Sequence, residues 1–165
     1  MVIHGHKHFP KLCYAQGATA ATPVVFAAGS FSACLAPQIQ AIARNQFYIF
    51  DFPLDVFPTM GLVGRFRAWD WIYGIGWQPA QERSGLPQQG GFGIRDKPDS
   101  LAAEIARECS KRLQTKWADI EQRVTKVRYV LPNDLRLIRK KLESDGRFRI
   151  LDRNGIFEQV ERCKS

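Results

Sequence analysis

Apolar and polar positions along this chain follow two different rhythms. Through about residue 73 the apolar residues come in short runs, the rhythm of strands rather than helices. Residues 1–3 form a strand end that runs into a polar stretch, and 12–15 a short strand. The apolar run 22–28 is stopped by Gly29-Ser30. Residues 45–52 and 62–73 are rich in aromatic and β-branched side chains and are the strongest strands. Residues 37–44 read as one helical turn or a loop. Beyond residue 98 the period lengthens. Leu101, Ile105, Cys109, Leu113, Trp117, Ile120 and Val124 recur every three or four positions, which predicts one helix over 99–127 with Asp99 or Ser100 at its start. A second helix runs from Asn133 or Asp134 to about Ser144, with Leu135, Ile138 and Leu142 on one face. Two apolar segments, 148–151 and 156–160, then flank Asp152-Arg153-Asn154-Gly155. Asn-Gly favours the turn that matches strand twist, so this end is a hairpin.

Between the two rhythms, residues 74–98 hold Gly74, Gly76, Pro79, Gly85, Pro87, Gly90, Gly91, Gly93 and Pro98. So much punctuation reads as a linker and sets a domain boundary. No Gly-Lys-Ser/Thr follows these glycines, so they are no phosphate loop. The expected organisation is therefore 1–73, a linker over 74–98, and a helical tail over 99–165 ending in a hairpin.

Composition changes this picture little. The chain has 165 residues and 45% hydrophobic residues, as in an ordinary globular protein. Its formal charge is +8: residues 1–98 hold eight Lys/Arg against five Asp/Glu, and 99–165 sixteen against eleven. That balance permits phosphate-bearing partners. The four cysteines are scattered with no Cys-x-x-Cys pair, which fits a reducing, cytoplasmic setting. Residues 14–36 carry no charge, but Gly17, Pro23, Gly29 and many small polar residues make a poor apolar core. A bilayer span wants about 20 strongly apolar residues, so no membrane association is expected.

All three histidines, His4, His6 and His8, fall in one pentapeptide. Alternate side chains of an extended segment share a face, and imidazole is a common ligand for transition metals. With every histidine committed there, no Ser/His/Asp or Cys/His set can form, and no catalytic nucleophile is assigned. The run Val2-Ile3-His4-Gly5-His6-Lys7-His8 resembles the final Gly-His-x-His motif of the calcineurin-like metallophosphoesterases. The apolar run ending in Gly29-Ser30 and the strand over 45–50 are similar to the strands that follow it. The resemblance covers roughly residues 1–73. It implies an α/β fold (α+β if judged alone) whose first part is the closing strands of a phosphoesterase β-sandwich. It also implies that His6 and His8 each ligate one of two divalent ions, Mn, Fe or Zn, which clamp a phosphoester substrate for in-line attack. His4 would then orient the strand end behind those ligands. The family's earlier Asp-x-His, bridging aspartate, Asn-His-Glu/Asp segment and further histidine are all missing. The resemblance thus implies a truncated form or fragment, inactive alone, that is completed by a missing N-terminal portion or another chain, or that dimerises through exposed sheet edges.

Two basic surfaces offer a reading of another class. Arg65, Arg67, Trp69 and Trp71 alternate along one strand face. Such a face either stacks bases and meets phosphates, or simply lays arginine stems across the Trp rings. In the tail, Arg136, Arg139, Lys140 and Lys141 lie on the second helix, and Arg147, Arg149 and Arg153 in the hairpin. Helix, helix and basic hairpin is a winged-helix-like outline, so Arg136, Arg139, Lys140, Lys141, Arg149 and Arg153 are candidate nucleic-acid contacts. Acidic residues interleave with them, among them Asp134, Glu143, Asp145 and Asp152.

Overall fold

The computed structural model describes residues 1–5, 9–16, 22–40 and 42–163. The chain has a mixed α/β fold, with several sheets and five α-helices among the described residues. None of those helices is long and apolar enough to cross a membrane. Two compact units divide the chain, residues 1–93 and 94–165.

The first unit has two sheets. β1 (Val2–His4) pairs in parallel with β3 (Val24–Ala27), which pairs antiparallel with β2 (Lys11–Tyr14), giving the order β1-β3-β2. After a single helical turn, α1 (Pro37–Gln40), the second sheet begins with β4 (Gln46–Asp51). The turn α2 (Phe57–Met60) leads to the long strand β5 (Gly64–Ile72). β4 covers one edge of β5. On the other edge β6 (Gly76–Pro79) pairs with its end and β7 (Gln89–Phe92) with its start. Period-two alternation in β5 sends Phe66, Ala68 and Asp70 inward, and all three are buried. Phe26 of β3 meets Tyr48 and Phe50 of β4 edge-on, at 4.8 and 4.9 Å between ring centres, and these contacts knit the two sheets.

A buried carboxylate anchors this core. Asp70 accepts from Gln46 Nε2 and Ser84 Oγ, both at 2.5 Å, and from the Gln81 amide at 3.1 Å. Gln46 Oε1 accepts from Tyr48 Oη at 2.7 Å, which in turn accepts from the Gly29 amide at 2.8 Å. Burial pushes the Tyr48 phenol up to about 12. Both carboxylate oxygens of Asp70 have a donor, so the chain of bonds fastens β4, β5 and two loops to one another.

The second unit runs α3 (Pro98–Cys109), β8 (Gln114–Lys116), α4 (Trp117–Arg123), a 3-10 turn (Thr125–Tyr129), α5 (Pro132–Glu143), β9 (Phe148–Arg153) and β10 (Ile156–Arg162). The strands form an antiparallel sheet in the order β8-β10-β9. Its core is the apolar stripe of α3, with Leu101 and Ile105 buried, joined by Ile120, Ile138, Leu142, Ile150 and Val160. At the hairpin tip Asn154 and Gly155 both have positive φ, 54° and 78°, the conformation that a two-residue turn of this kind requires.

Three expectations need correction. The described strands of the first unit do not build a metallophosphoesterase sandwich; they form one three-stranded sheet and one built around β5. The segment 74–98 is not simply a linker. Two strands within it pair with β5, and the boundary between units falls after Gly93. Close packing explains the glycine there and in β5: a Cβ on Gly64 would run into the Phe92 ring. The helix expected over 99–127 is broken. It ends at Cys109, Leu113 is 57% exposed, and residues 114–116 pair with β10 instead. Tertiary pairing overrides the periodicity, with Thr115 buried between flanking exposed residues.

Candidate nucleic-acid interface

The second unit builds its surface from α5 and the β9–β10 hairpin. Pro132 opens α5 at a position whose amide would have no helical partner anyway. Ile138 and Leu142 turn into the core, which leaves Asn133, Arg136, Leu137, Lys140, Lys141 and Ser144 exposed. In β9 the alternation buries Phe148 and Ile150 and exposes Arg149. Arg153 and Asn154 stand at the exposed tip.

Arg139 joins the two elements. Its Nη1 donates to Asp152 Oδ2 at 2.5 Å, its Nη2 to the Ile150 carbonyl at 3.2 Å, and its Nε to Glu143 Oε2 at 3.3 Å. The guanidinium also lies 5.6 Å from the Phe157 ring centre. Glu143 reaches the same strand, accepting from the Ile150 amide at 2.9 Å. The hydrogen bond from Arg139 holds the Asp152 carboxyl below its ordinary range, helped by the Gly155 amide, and Asp152 in turn holds the guanidinium proton more tightly. Arg139 is therefore committed to structure.

Two other acids on this surface differ in their surroundings. Asp145 pairs with Arg147 at 2.5 Å and accepts the Arg147 amide, which lowers its pKa. Asp134 is partly desolvated at the start of α5, which raises its pKa. Lys141 sits 3.5 Å from Asp99, an exposed pair that solvent weakens. Arg136 donates to Asn133 Oδ1 at 2.9 Å. Among the described residues Lys140, Arg149 and Arg153 make no ion pair. The sequence placed Arg136, Lys140, Lys141, Arg149 and Arg153 on this surface, and the structure brings them to adjoining elements. It did not reveal that Arg139 is held between α5 and the hairpin, or that Leu137, 52% exposed, sits among the basic residues of α5.

The histidine cluster stands differently. His4 ends β1 and is exposed. His6 and His8, the expected ligands, lie outside the described residues. Among the described residues no group of three His, Cys, Asp or Glu side chains is placed to hold a metal ion.

A two-stranded wing beside a helix that follows a helix and a turn defines a class of helix-turn-helix domains. Residues 90–144 match the family model described as wHTH-Calcineurin_assc, a winged helix-turn-helix associated with calcineurin. The element order of the second unit is consistent with that description. No curated protein and no solved structure matches the chain. The family match corrects the resemblance drawn from Gly-His-x-His and the strands after it. What it recognises is a calcineurin-associated winged helix, not a metallophosphoesterase catalytic domain. The histidine motif is only four residues long, whereas the winged-helix match spans several elements.

Proposed function

We propose that the second unit is a winged-helix module that binds duplex nucleic acid through α5 and the β9–β10 hairpin. The observation that carries this reading is the Arg139 bridge. It fixes helix and wing to each other and engages both Glu143 and Asp152, offsetting part of their charge. Of the cations left facing solvent, Lys140, Arg149 and Arg153 make no ion pair among the described residues with the carboxylates that interleave with them in sequence. Eighteen Lys/Arg against twelve Asp/Glu in residues 94–165 give a further long-range attraction for phosphate. A recognition helix presents its first turns to base edges, and here those turns carry Asn133 and Arg136, residue types that pair with adenine and guanine edges.

One observation favours a second reading, an assembly module. Leu137 is exposed in the middle of α5, where an apolar side chain suits either a thymine methyl group or a protein partner. Fluorescence anisotropy of a labelled generic duplex, titrated with the full chain at low salt, separates the two. Saturable binding that Lys140→Glu weakens is the expected result. No binding to any duplex, with self-association lost in Leu137→Lys, is the result that replaces this reading with assembly.

A further inference from the structure

The first unit carries an outward sheet face that the winged helix does not use. β5 sends Arg65, Arg67, Trp69 and Trp71 to this face, and register places Phe47 beside Trp69 and Trp77 beside Trp71. The rings touch in a row. Phe47 and Trp69 stack at 4.6 Å with their planes 4° apart. Trp77 meets Phe47 edge-on at 4.9 Å and Trp71 at 5.3 Å. Phe31 lies over Trp77 at 5.4 Å, nearly parallel, although it is itself 64% exposed. The solvent side of an antiparallel sheet is ordinarily polar, and a contiguous aromatic patch there marks an interaction surface.

Charge selects the occupant. Arg67 lies 6.0 Å from the Trp69 ring centre, and Arg65 follows two positions away on the same face, with no ion pair among the described residues. Asp51 is the single carboxylate among the outward positions of β4, β5 and β6, and it stands 3.6 Å from Arg67 with both side chains about half exposed. Rings interleaved with guanidinium groups match planar bases strung on a phosphate backbone. Among the described residues Trp77 is the one ring that Phe31 meets, so a base can take its place on Trp77. We propose that this face is a stacking platform for single-stranded nucleic acid, distinct from the duplex surface of the second unit.

The test uses the full chain and oligothymidine. Three of the four tryptophans lie on this face, and the fourth, Trp117, is buried in the other unit, so intrinsic fluorescence reports binding here. Saturable, salt-sensitive quenching is expected. By anisotropy of labelled oligothymidine, Trp71→Ala weakens affinity by roughly tenfold, the usual loss for one stacked base. Arg65→Glu also weakens it, and Lys140→Glu leaves it unchanged. Because Trp71 is 43% exposed, its truncation preserves the fold, which far-UV circular dichroism checks. Three outcomes overturn the proposal: no quenching, affinity indifferent to Trp71→Ala and Arg65→Glu, or binding abolished by Lys140→Glu, which would move the strand to the winged helix. Loss of duplex binding alone leaves this proposal standing and removes only the previous one.

Discussion

Arg139 offers the sharpest perturbation, because it belongs to the candidate interface in sequence and to the brace between α5 and the hairpin in structure. Arg139→Met keeps a stem of similar length over Phe157 and deletes all three hydrogen bonds. The two carboxylate pairs are partly exposed, with side-chain accessibilities of 34% for Arg139 and 26–33% for its partners, so each contributes no more than about 1 kcal/mol. The bond to the Ile150 carbonyl contributes about 1 kcal/mol more. Together the loss is roughly 2–3 kcal/mol. For a unit of this size, each kcal/mol moves the melting point by about 4–8 °C, which predicts a fall of roughly 10–20 °C. The indole N–H of Trp117, bonded to Glu121 at 3.1 Å, gives a nuclear magnetic resonance signal that follows this unit alone. A double-mutant cycle with Asp152→Asn should show coupling of about 0.5 kcal/mol or more. A variant that melts like wild type, shows no coupling and yet loses duplex affinity would refute the reasoning. Arg139 would then be a phosphate contact and not a brace.

Two further predictions concern the buried and the titrating carboxylates. Asp70→Ala strands the Gln46 and Ser84 donors in the core and should cost about 2–4 kcal/mol in urea unfolding followed by tryptophan fluorescence; an unchanged midpoint would show that water replaces the carboxylate. Asp152 has its folded pKa depressed, so its stabilisation is present above the unfolded value of about 3.9 and disappears as pH falls through the folded value. Asp134, raised by burial, works in the opposite direction and blunts the loss without reversing it at the hairpin. Melting of the second unit should therefore be flat near neutrality and fall only below about pH 4, with a shallower fall in Asp152→Asn. An identical acid profile in that variant would count against the brace.

How much of this was legible in the sequence depends on whether the determinant was local. The hairpin tip was, because Asn154-Gly155 alone selects a turn with two positive φ angles. So were β4, from its β-prone composition, and β5 and the apolar face of α5, whose periods match their burial. β8 was not, since three residues with one buried threonine carry no period; only pairing with β10 makes them a strand. β6 and β7 were hidden by the glycines and prolines around them. Of the candidate interface, the basic positions could be read but their partners could not. Arg139 and Lys140 look equivalent in sequence, and only the folding of β9 against α5 assigns one to Asp152 and leaves the other in solvent. The family resemblance misled for a related reason: a short motif states which side chains are present, not which family the chain belongs to.

The proposed duplex binding needs helix α5 and its wing to meet phosphate together, and its salt dependence reports on both elements. The logarithm of affinity should fall linearly with the logarithm of salt concentration. Its slope should become shallower by about 0.9 for each phosphate contact removed in Lys140→Glu and in Arg153→Glu, one on the helix and one on the wing. A wild-type affinity indifferent to salt, or slopes unchanged in both variants, would contradict it.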